Sequence, residues 1–463
     1  MFARGTVVHL VGAGGAGLGA LGELLLDRGV VVSGSDLLPG ENVRRLRSRG
    51  ARILVGEHSA RQLPEDASLV IRSAAVPAGN PEWAVARERG LEVLTYAEAL
   101  GRLMGERQGV AIAGTHGKTT TTGLIVHALL ELGEDPSYVL GAALPRSGRS
   151  GAAGSGPWFV AEACEFEESF LRLLPCQATV VSIEADHLDY YGDEAAMCRA
   201  FQAFAGRLPE DAPLILTPEA LDRLGPEFET PGRIVTVSLE RPAEIRAVDL
   251  VERSGFCRFR IAGAPGAWET GPIECPVPGR HFAEDVLLAA ANLYCLGLPA
   301  PEIVRALASY RGVARRLETI VEGGIGLLSD YAHHPTEIQG VLATVRQWHR
   351  GRRLLAVFQP HQASRTRYLL GSFAEALSGF DLVLVSDIFV TRDSREDRDS
   401  VSASDLVGRI RARGGRARAA GPLQATLDCV RNEMLKGDVI LLLGAGDIDQ
   451  LRGELEAALS PSH

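Results

Sequence analysis

Lysine is almost missing from this chain. Of its 48 basic residues only Lys118 and Lys436 are lysines; the others are arginines. Also missing is any run of about eighteen apolar residues, so no membrane span is expected. The opening Met1-Phe-Ala-Arg-Gly-Thr6 leads straight into an apolar strand pattern, and no charged segment, apolar stretch and cleavage site in series marks a secretory signal. There is no C-x-x-C pair. The seven cysteines (Cys164, Cys176, Cys198, Cys257, Cys275, Cys295 and Cys429) are odd in number and scattered, which argues against a disulfide framework and a structural zinc, and for a cytoplasmic location. Long basic blocks are lacking as well. With a net charge of -10 and only short arginine clusters (Arg350, Arg352 and Arg353; Arg409, Arg411 and Arg413), read as solvated helix ends, the chain is not expected to bind nucleic acid.

What is present is alternation. A chain of 463 residues is long enough for about three domains. Apolar runs at 6–12, 30–36, 68–73 and 91–95 read as buried strands separated by amphipathic segments, the pattern of a parallel sheet covered on both faces. A short polar stretch, Gly105–Gly109, precedes a second series: strands at 109–114, 158–162, 178–183 and 213–217 and a long helix at 118–132. The stretch 145–156 is Gly/Ser-rich and reads as a flexible loop. Short alternating strands at 245–275 suggest a small antiparallel patch, and helices are expected near 281–296 and 301–310. After a second hinge at Arg311–Ala314, strands at 354–358, 382–387 and 439–446 each precede a helical segment. The reading is an α/β protein of three domains, 1–106, 107–312 and 313–463: a Rossmann-like N-terminal domain, a P-loop ATPase-type central domain and a Rossmann-like C-terminal domain.

Two glycine-rich turns carry chemistry. At the first strand–helix turn stands Gly12-Ala-Gly14-Gly15-Ala16-Gly17, with Asp36 ending the second strand. Glycines there allow a tight turn and let backbone N–H groups approach a diphosphate; the pattern does not separate a nicotinamide dinucleotide from a UDP-sugar. The second turn, Gly114-Thr115-His116-Gly117-Lys118-Thr119-Thr120, is more specific. It lies between an apolar strand and a helix, where backbone N–H groups can wrap phosphates, Lys118 can neutralise them and Thr119 can ligate Mg²⁺. The usual loop has a glycine where Ile112 stands, so this is a compact variant. A near-unique lysine in an arginine-rich chain fits a site that needs a compact charge. Glu162 and His187 fall just past predicted strands, where ligands bind in α/β folds, and are natural further metal ligands.

The ordered segments HLVGAGGAG, GTHGKTTTT, EACEFEESFL with ADHLDYY, PGRH, DYAHHPTEI, FQPH with SRT, and GAGDI resemble the Mur ligase family over nearly the whole chain. GTHGKTTTT and DYAHHPTEI are similar to its alanine-adding branch. The resemblance implies an ATP-dependent ligase joining L-alanine to UDP-N-acetylmuramate through an acyl phosphate, with two Mg²⁺ ions, as a monomer or weak homodimer. It implies that Gly12, Gly14, Gly15, Ala16 and Gly17, with Asp36, His58 and Ser73, hold the UDP-sugar. Gly114 to Thr120, His281, Phe282, Asp285, Arg316 and Asp330 would serve ATP. Thr119, Glu162 and His187 would serve the metal, and Tyr331, His333, Gln362 and Arg365 the amino acid. Lys118, Glu162, His187 and His333 would be catalytic. Sister ligases resemble one another in a carbamylated lysine near the second metal, and no lysine lies between Lys118 and Lys436.

The sequence also departs from the family pattern. Phe282 and Asp285 stand where two asparagines near adenine are usual. Val181-Ser182-Ile183-Glu184 replaces T-N-I-D, Gln362-Ala363 replaces an arginine–tyrosine pair, and Ala314 replaces a lysine. These changes suggest altered adenine contacts and weaker hold on alanine. They keep open a diverged ligase that uses another amino acid or a peptide, or a binding protein without activity.

Overall fold

A computed structural model describes residues 2–263, 268–391 and 393–459. The first apolar runs become β1 (Val7–Val11), β2 (Val31–Asp36), β3 (Arg52–Val55), β4 (Leu69–Arg72) and β5 (Glu92–Thr95). They pair in parallel in the order β3-β2-β1-β4-β5, so both faces need cover. Helices α1 (Ala16–Asp27), α2 (Glu41–Ser48), α3 (Pro81–Glu88) and α4 (Tyr96–Met104) link or follow them. Two of these helices begin on clear local signals. Asn80 accepts from the N–H groups of Glu82 and Trp83 with Pro81 in the first helical position, and Thr95 and Glu98 form a reciprocal capping box.

The second series forms β6 (Gln108–Ala113), α5 (Lys118–Glu131), β7 (Ser137–Leu144), β8 (Arg149–Ala152), β9 (Trp158–Glu162), β10 (Gln177–Val180), β11 (Pro213–Leu216) and β12 (Arg233–Ser238). Their sheet runs β12-β11-β10-β6-β9-β7-β8. It is parallel except for the β7–β8 hairpin. The hairpin corrects the reading of 145–156 as a flexible loop, because β8 lies inside that stretch. Its glycines answer close backbone approach: a Cβ on Gly151 would lie 1.9 Å from the Ala20 carbonyl oxygen, and one on Gly156 1.8 Å from that of Glu134. Short strands β13 (Ile245–Arg253), β14 (Phe256–Ala262) and β15 (Ile273–Glu274) follow. The expected patch is not wholly antiparallel, since β13 joins β12 in parallel through Ile245 and Arg246.

The last part contains β16 (Glu318–Val321), β17 (Gly326–Asp330), β18 (Leu354–Phe358), β19 (Leu382–Ser386), β20 (Ala417–Gly421) and β21 (Val439–Leu443). They are ordered β16-β17-β21-β18-β19-β20, with only β16 antiparallel. Separate apolar clusters cover the two faces of this sheet. Arg352, expected on a solvated end, instead donates to the carbonyls of Gly437 and Asp438 and ties two turns together.

The chain packs as two compact units. One runs through Val248 and adds Arg260–Ile273 and Glu284–Val313; the other takes Asp249–Phe259, Glu274–Ala283 and the chain from Ala314 onward. Within the first unit, a single apolar core contains Leu21 and Leu24 of α1 together with Phe159 of β9 and Phe170. No helix among the described residues is long and apolar enough to cross a membrane.

Candidate active site

The phosphate loop joins β6 to α5. Gly114 and Gly117 have φ of +139° and +78°, and a Cβ on Gly117 would meet Asp285 Oδ1 at 2.6 Å. Both positions therefore require glycine. The loop is tied to the end of the neighbouring strand: Thr115 N–H donates to the Ser182 carbonyl and His116 N–H to Ser182 Oγ, each at 2.9 Å. Asp285 accepts from Thr121 Oγ at 3.0 Å, so it braces the loop from beneath.

Lys118 starts α5. Its Nζ donates to the Gly114 carbonyl, to the Thr115 carbonyl at 3.0 Å and to the Glu165 carboxylate at 2.9–3.0 Å. Burial disfavours the ammonium, but the charge and hydrogen bond of Glu165, with the neighbouring Cys164 and Glu162, together outweigh it and hold the lysine pKa above its ordinary value. Glu165 is itself buried, and Tyr191 OH donates to its backbone carbonyl. Sequence reasoning quoted the stretch that contains Glu165 without giving it a role; an acid three residues after Glu162 was the available signal.

Thr119 Oγ donates to Glu162 Oε2 at 3.0 Å, and the other Glu162 oxygen accepts from Gly141 N–H at the bend of β7. A hydroxyl and a carboxylate this close, one helical step from a lysine in a phosphate loop, are a hard-cation donor set. Glu162 lines a cavity of about 390 Å³ whose wall also includes Gly15, Gly17, Tyr96, Gly141 and Phe166. The first glycine turn thus shares a cleft with Glu162, the hydrogen-bond partner of Thr119. His187, at φ +53°, packs its ring against Phe166 with centroids 5.0 Å apart.

At the N-terminal turn, the N–H groups of Gly12 and Ala13 donate to the Ser35 carbonyl, and Gly14 N–H donates to Asp36 Oδ2 at 2.7 Å. Asp36 here grips the glycine turn itself, and also accepts from Leu38 N–H. A Cβ on Gly17 would lie 2.8 Å from the Tyr96 ring, and one on Gly12 3.1 Å from Ser73 Cβ. Ser35 Oγ and His58 Nδ1 are 3.2 Å apart, and both contact Glu82. Glu82 had no mark in the sequence beyond a helix start.

The second unit gathers its own cluster. His333 Nδ1 lies 3.1 Å from the Tyr331 carbonyl, and the Glu337 carboxylate accepts from His333 N–H. The rings of Tyr331 and His361 stand 5.4 and 6.1 Å from that of His333. Arg316 lies over Tyr331, and Arg365 approaches His361 Nδ1 at 3.4 Å. Asp330 accepts from the N–H groups of Leu317 and Ala332, both at 2.7 Å. Burial raises its carboxyl above the usual value, against the pull of Arg316. Phe282 and Gln362 are 4% and 2% exposed, and Gln362 has φ +74°. His281 lies beside Gly340 in the same unit.

Comparison with known proteins places this geometry. Residues 7–108 match the model of the Mur ligase family catalytic domain, 112–293 the Mur ligase middle domain and 315–446 the Mur ligase glutamate ligase domain. The UDP-N-acetylmuramate–L-alanine ligase of Chlorobium phaeovibrioides is 36% identical over 97% of this chain and 96% of its own length. The chain belongs to the Mur ligase family. The ligase of the same name from Methylobacillus flagellatus is 37% identical, covering 96% of this chain and 94% of that one. The crystal structure of UDP-N-acetylmuramate-alanine ligase from Thermotoga maritima superposes on this Mur ligase with a TM-score of 0.82, at 25% identity over 97% of this chain and 98% of that one. A murein peptide ligase from Psychrobacter arcticus shares the fold, with a TM-score of 0.76 at 22% identity, covering 99% and 100%. The Mur ligase fold is therefore three α/β domains in series, a Rossmann-like domain at each end and a P-loop domain between them.

Proposed function

We propose that this Mur ligase uses ATP to join L-alanine to the lactyl carboxylate of UDP-N-acetylmuramate, a step of peptidoglycan precursor synthesis. The observation that carries the reading is a cleft walled by the glycine turn of the first sheet and by Glu162, whose carboxylate accepts from Thr119 of the phosphate loop. Domain limits of 1–106, 107–312 and 313–463 assign the UDP-sugar to Gly12–Gly17, Asp36, His58 and Ser73. ATP falls to Gly114–Thr120, with Asp285 bracing the loop and His281, Phe282, Arg316 and Asp330 serving the nucleotide. Tyr331, His333, Gln362 and Arg365 receive alanine. The seven unpaired cysteines fit a cytoplasmic enzyme.

Thr119 and Glu162, with His187, would hold Mg²⁺, two ions in all, which supplies positive charge to the phosphoryl oxygens. The γ-phosphoryl group passes from ATP to a carboxylate oxygen of the muramate, and ADP is released. Lys118 stabilises the charge on the moving group. The alanine amine then attacks the acyl carbon, phosphate leaves as the C–O bond breaks, and the amine gives up its proton. His333, held by Tyr331 and Glu337, orients the amino acid.

The test is a mixture of protein, UDP-N-acetylmuramate, Mg-ATP and single amino acids, followed by phosphate release and product mass. Phosphate should appear only with the muramate substrate, and alanine should add one residue's mass. ATP turnover indifferent to the muramate would refute the assignment.

A further inference from the structure

Glu82 lies at the second position of α3, in its first turn. Both the carboxylate and the neighbouring His9 have no exposure to solvent. Each oxygen meets a different imidazole. His9 Nε2 is 2.6 Å from Oε2, His58 Nδ1 is 2.6 Å from Oε1, and Ser35 Oγ donates to Oε1 at 2.9 Å. Beyond His9, Nδ1 lies 2.9 Å from Ser33 Oγ.

With neutral imidazoles, these contacts fit the following arrangement of protons around an ionised carboxylate. Ser33 O–H donates to His9 Nδ1, His9 Nε2–H donates to Glu82, and His58 Nδ1–H donates to Glu82 beside Ser35 O–H. The carboxylate is an acceptor only, so a contact at 2.6 Å must carry the proton on the imidazole side. Burial disfavours the charge, yet the bonds from His9, Ser35 and His58 more than offset it and hold Glu82 below the ordinary glutamate range. His58 Nε2 makes no hydrogen bond to the described residues, and its side chain is 13% exposed. The ring sits past β3 at the C-terminal edge of the sheet, next to Ser35, whose carbonyl holds the glycine turn.

We infer that Glu82 is a positioning residue that fixes His58 as the Nδ1–H tautomer. Its Nε2 is then a hydrogen-bond acceptor facing the nucleotide edge of the first sheet, and the ligand group it reads is a donor: a base imide N–H or a ribose hydroxyl. This rests on the assignment of the UDP-sugar to that sheet. A free imidazole favours the opposite tautomer, whose Nε2–H would repel such a donor. Ser33 and His9 give the network tolerance. With glutamine at 82, the amide oxygen can keep accepting from His58 while the amide N–H turns to His9, which takes its other tautomer against Ser33.

The test uses the full chain, whose eleven histidines can be resolved by two-bond ¹⁵N–¹H spectra. In the unsubstituted protein, His58 should show a protonated Nδ1 and a bare Nε2. UDP, N3-methyl-UDP and 2′-deoxy-UDP are then titrated. One of the two analogues should bind about tenfold more weakly than UDP, the size expected for one lost hydrogen bond to a buried acceptor, and the one that does names the group read. Glu82→Ala should weaken UDP by about tenfold and move the His58 proton to Nε2, whereas Glu82→Gln should keep both within about threefold of the original. ATP binding should be unchanged in both variants. A protonated Nε2 in the unsubstituted protein overturns the inference, and so do analogues that both bind like UDP. UDP that fails to bind overturns the site assignment instead, while the spectrum still judges the role of Glu82.

Discussion

Lys118 is held by its own loop and by Glu165. All three ammonium protons are used, two on loop carbonyls and one on a buried carboxylate. Replacing Lys118 with alanine removes the charge that follows the moving phosphoryl group. The rate should fall by about a hundred- to a thousandfold, the cost of losing one such donor at roughly 2.7–4 kcal/mol, with UDP binding kept if the proposed UDP site at the first glycine turn is right. Near-normal turnover would show that the loop does not act on the transferred group. Glu165→Gln has a different expected signature. An ammonium left without its buried partner costs about 3–5 kcal/mol, so the apo protein should melt lower. A triphosphate replaces the missing negative charge, and the increase in melting temperature on adding ATP should exceed that of the unsubstituted protein. An apo melting temperature that does not move would mean the pair adds nothing.

Strands β12, β16, β17 and β20 went unread in the sequence, and so did the β7–β8 hairpin, which the sequence disguised as a loop. Glycine and serine every second or third residue look like a linker, and nothing local tells a free glycine from one pressed against another backbone. The partner lies over a hundred residues earlier. Glu23 of α1 accepts from the N–H groups of Ser150 and Gly151 and from Ser150 Oγ at 2.9–3.1 Å, and Asp27 accepts from Arg149, Arg49 and Ala153 N–H. The strands and helices that were read were legible because their apolar periods are local. The phosphate loop was legible because its glycines, lysine and threonines are contiguous. Glu82, Glu23 and Glu165 were not, since an isolated acid shows its partner only once the chain has folded. The clamp predicts a pH response. Burial raises the Asp27 carboxyl, but its bonds to Arg149, Ala153 and Arg49 bring it below the ordinary 3.8. Its contribution is therefore complete above about pH 4 and lost as pH falls through the lower folded value. Asp27→Asn should reduce stability at pH 7, and its difference from the unsubstituted protein should vanish in strong acid. A difference that is constant with pH would mean the charge does not hold the hairpin.

At the scale of the molecule, α1 and the central sheet are parts of one core, and this has a measurable consequence. Leu21 and Leu24 of α1 share an apolar cluster with Phe159, Phe170 and Phe201, and the Glu23 and Asp27 clamps reinforce it. Burying side chains from two sheets in one cluster makes opening one without the other expensive, because each would expose the apolar face of its neighbour. The first and central domains should then unfold as one cooperative step. UDP binds only the folded state, and at a hundred times its dissociation constant it stabilises by about 2.7 kcal/mol. If unfolding is shared, the slowest-exchanging amides of β6 and α5, far from the uridine, should slow by about a hundredfold with those of β1 and α1. Hydrogen exchange with and without UDP decides the matter. Slowing confined to the first hundred residues would show two domains that open independently, and the Glu23 and Asp27 contacts would then be a local seam with no part in holding the two sites together.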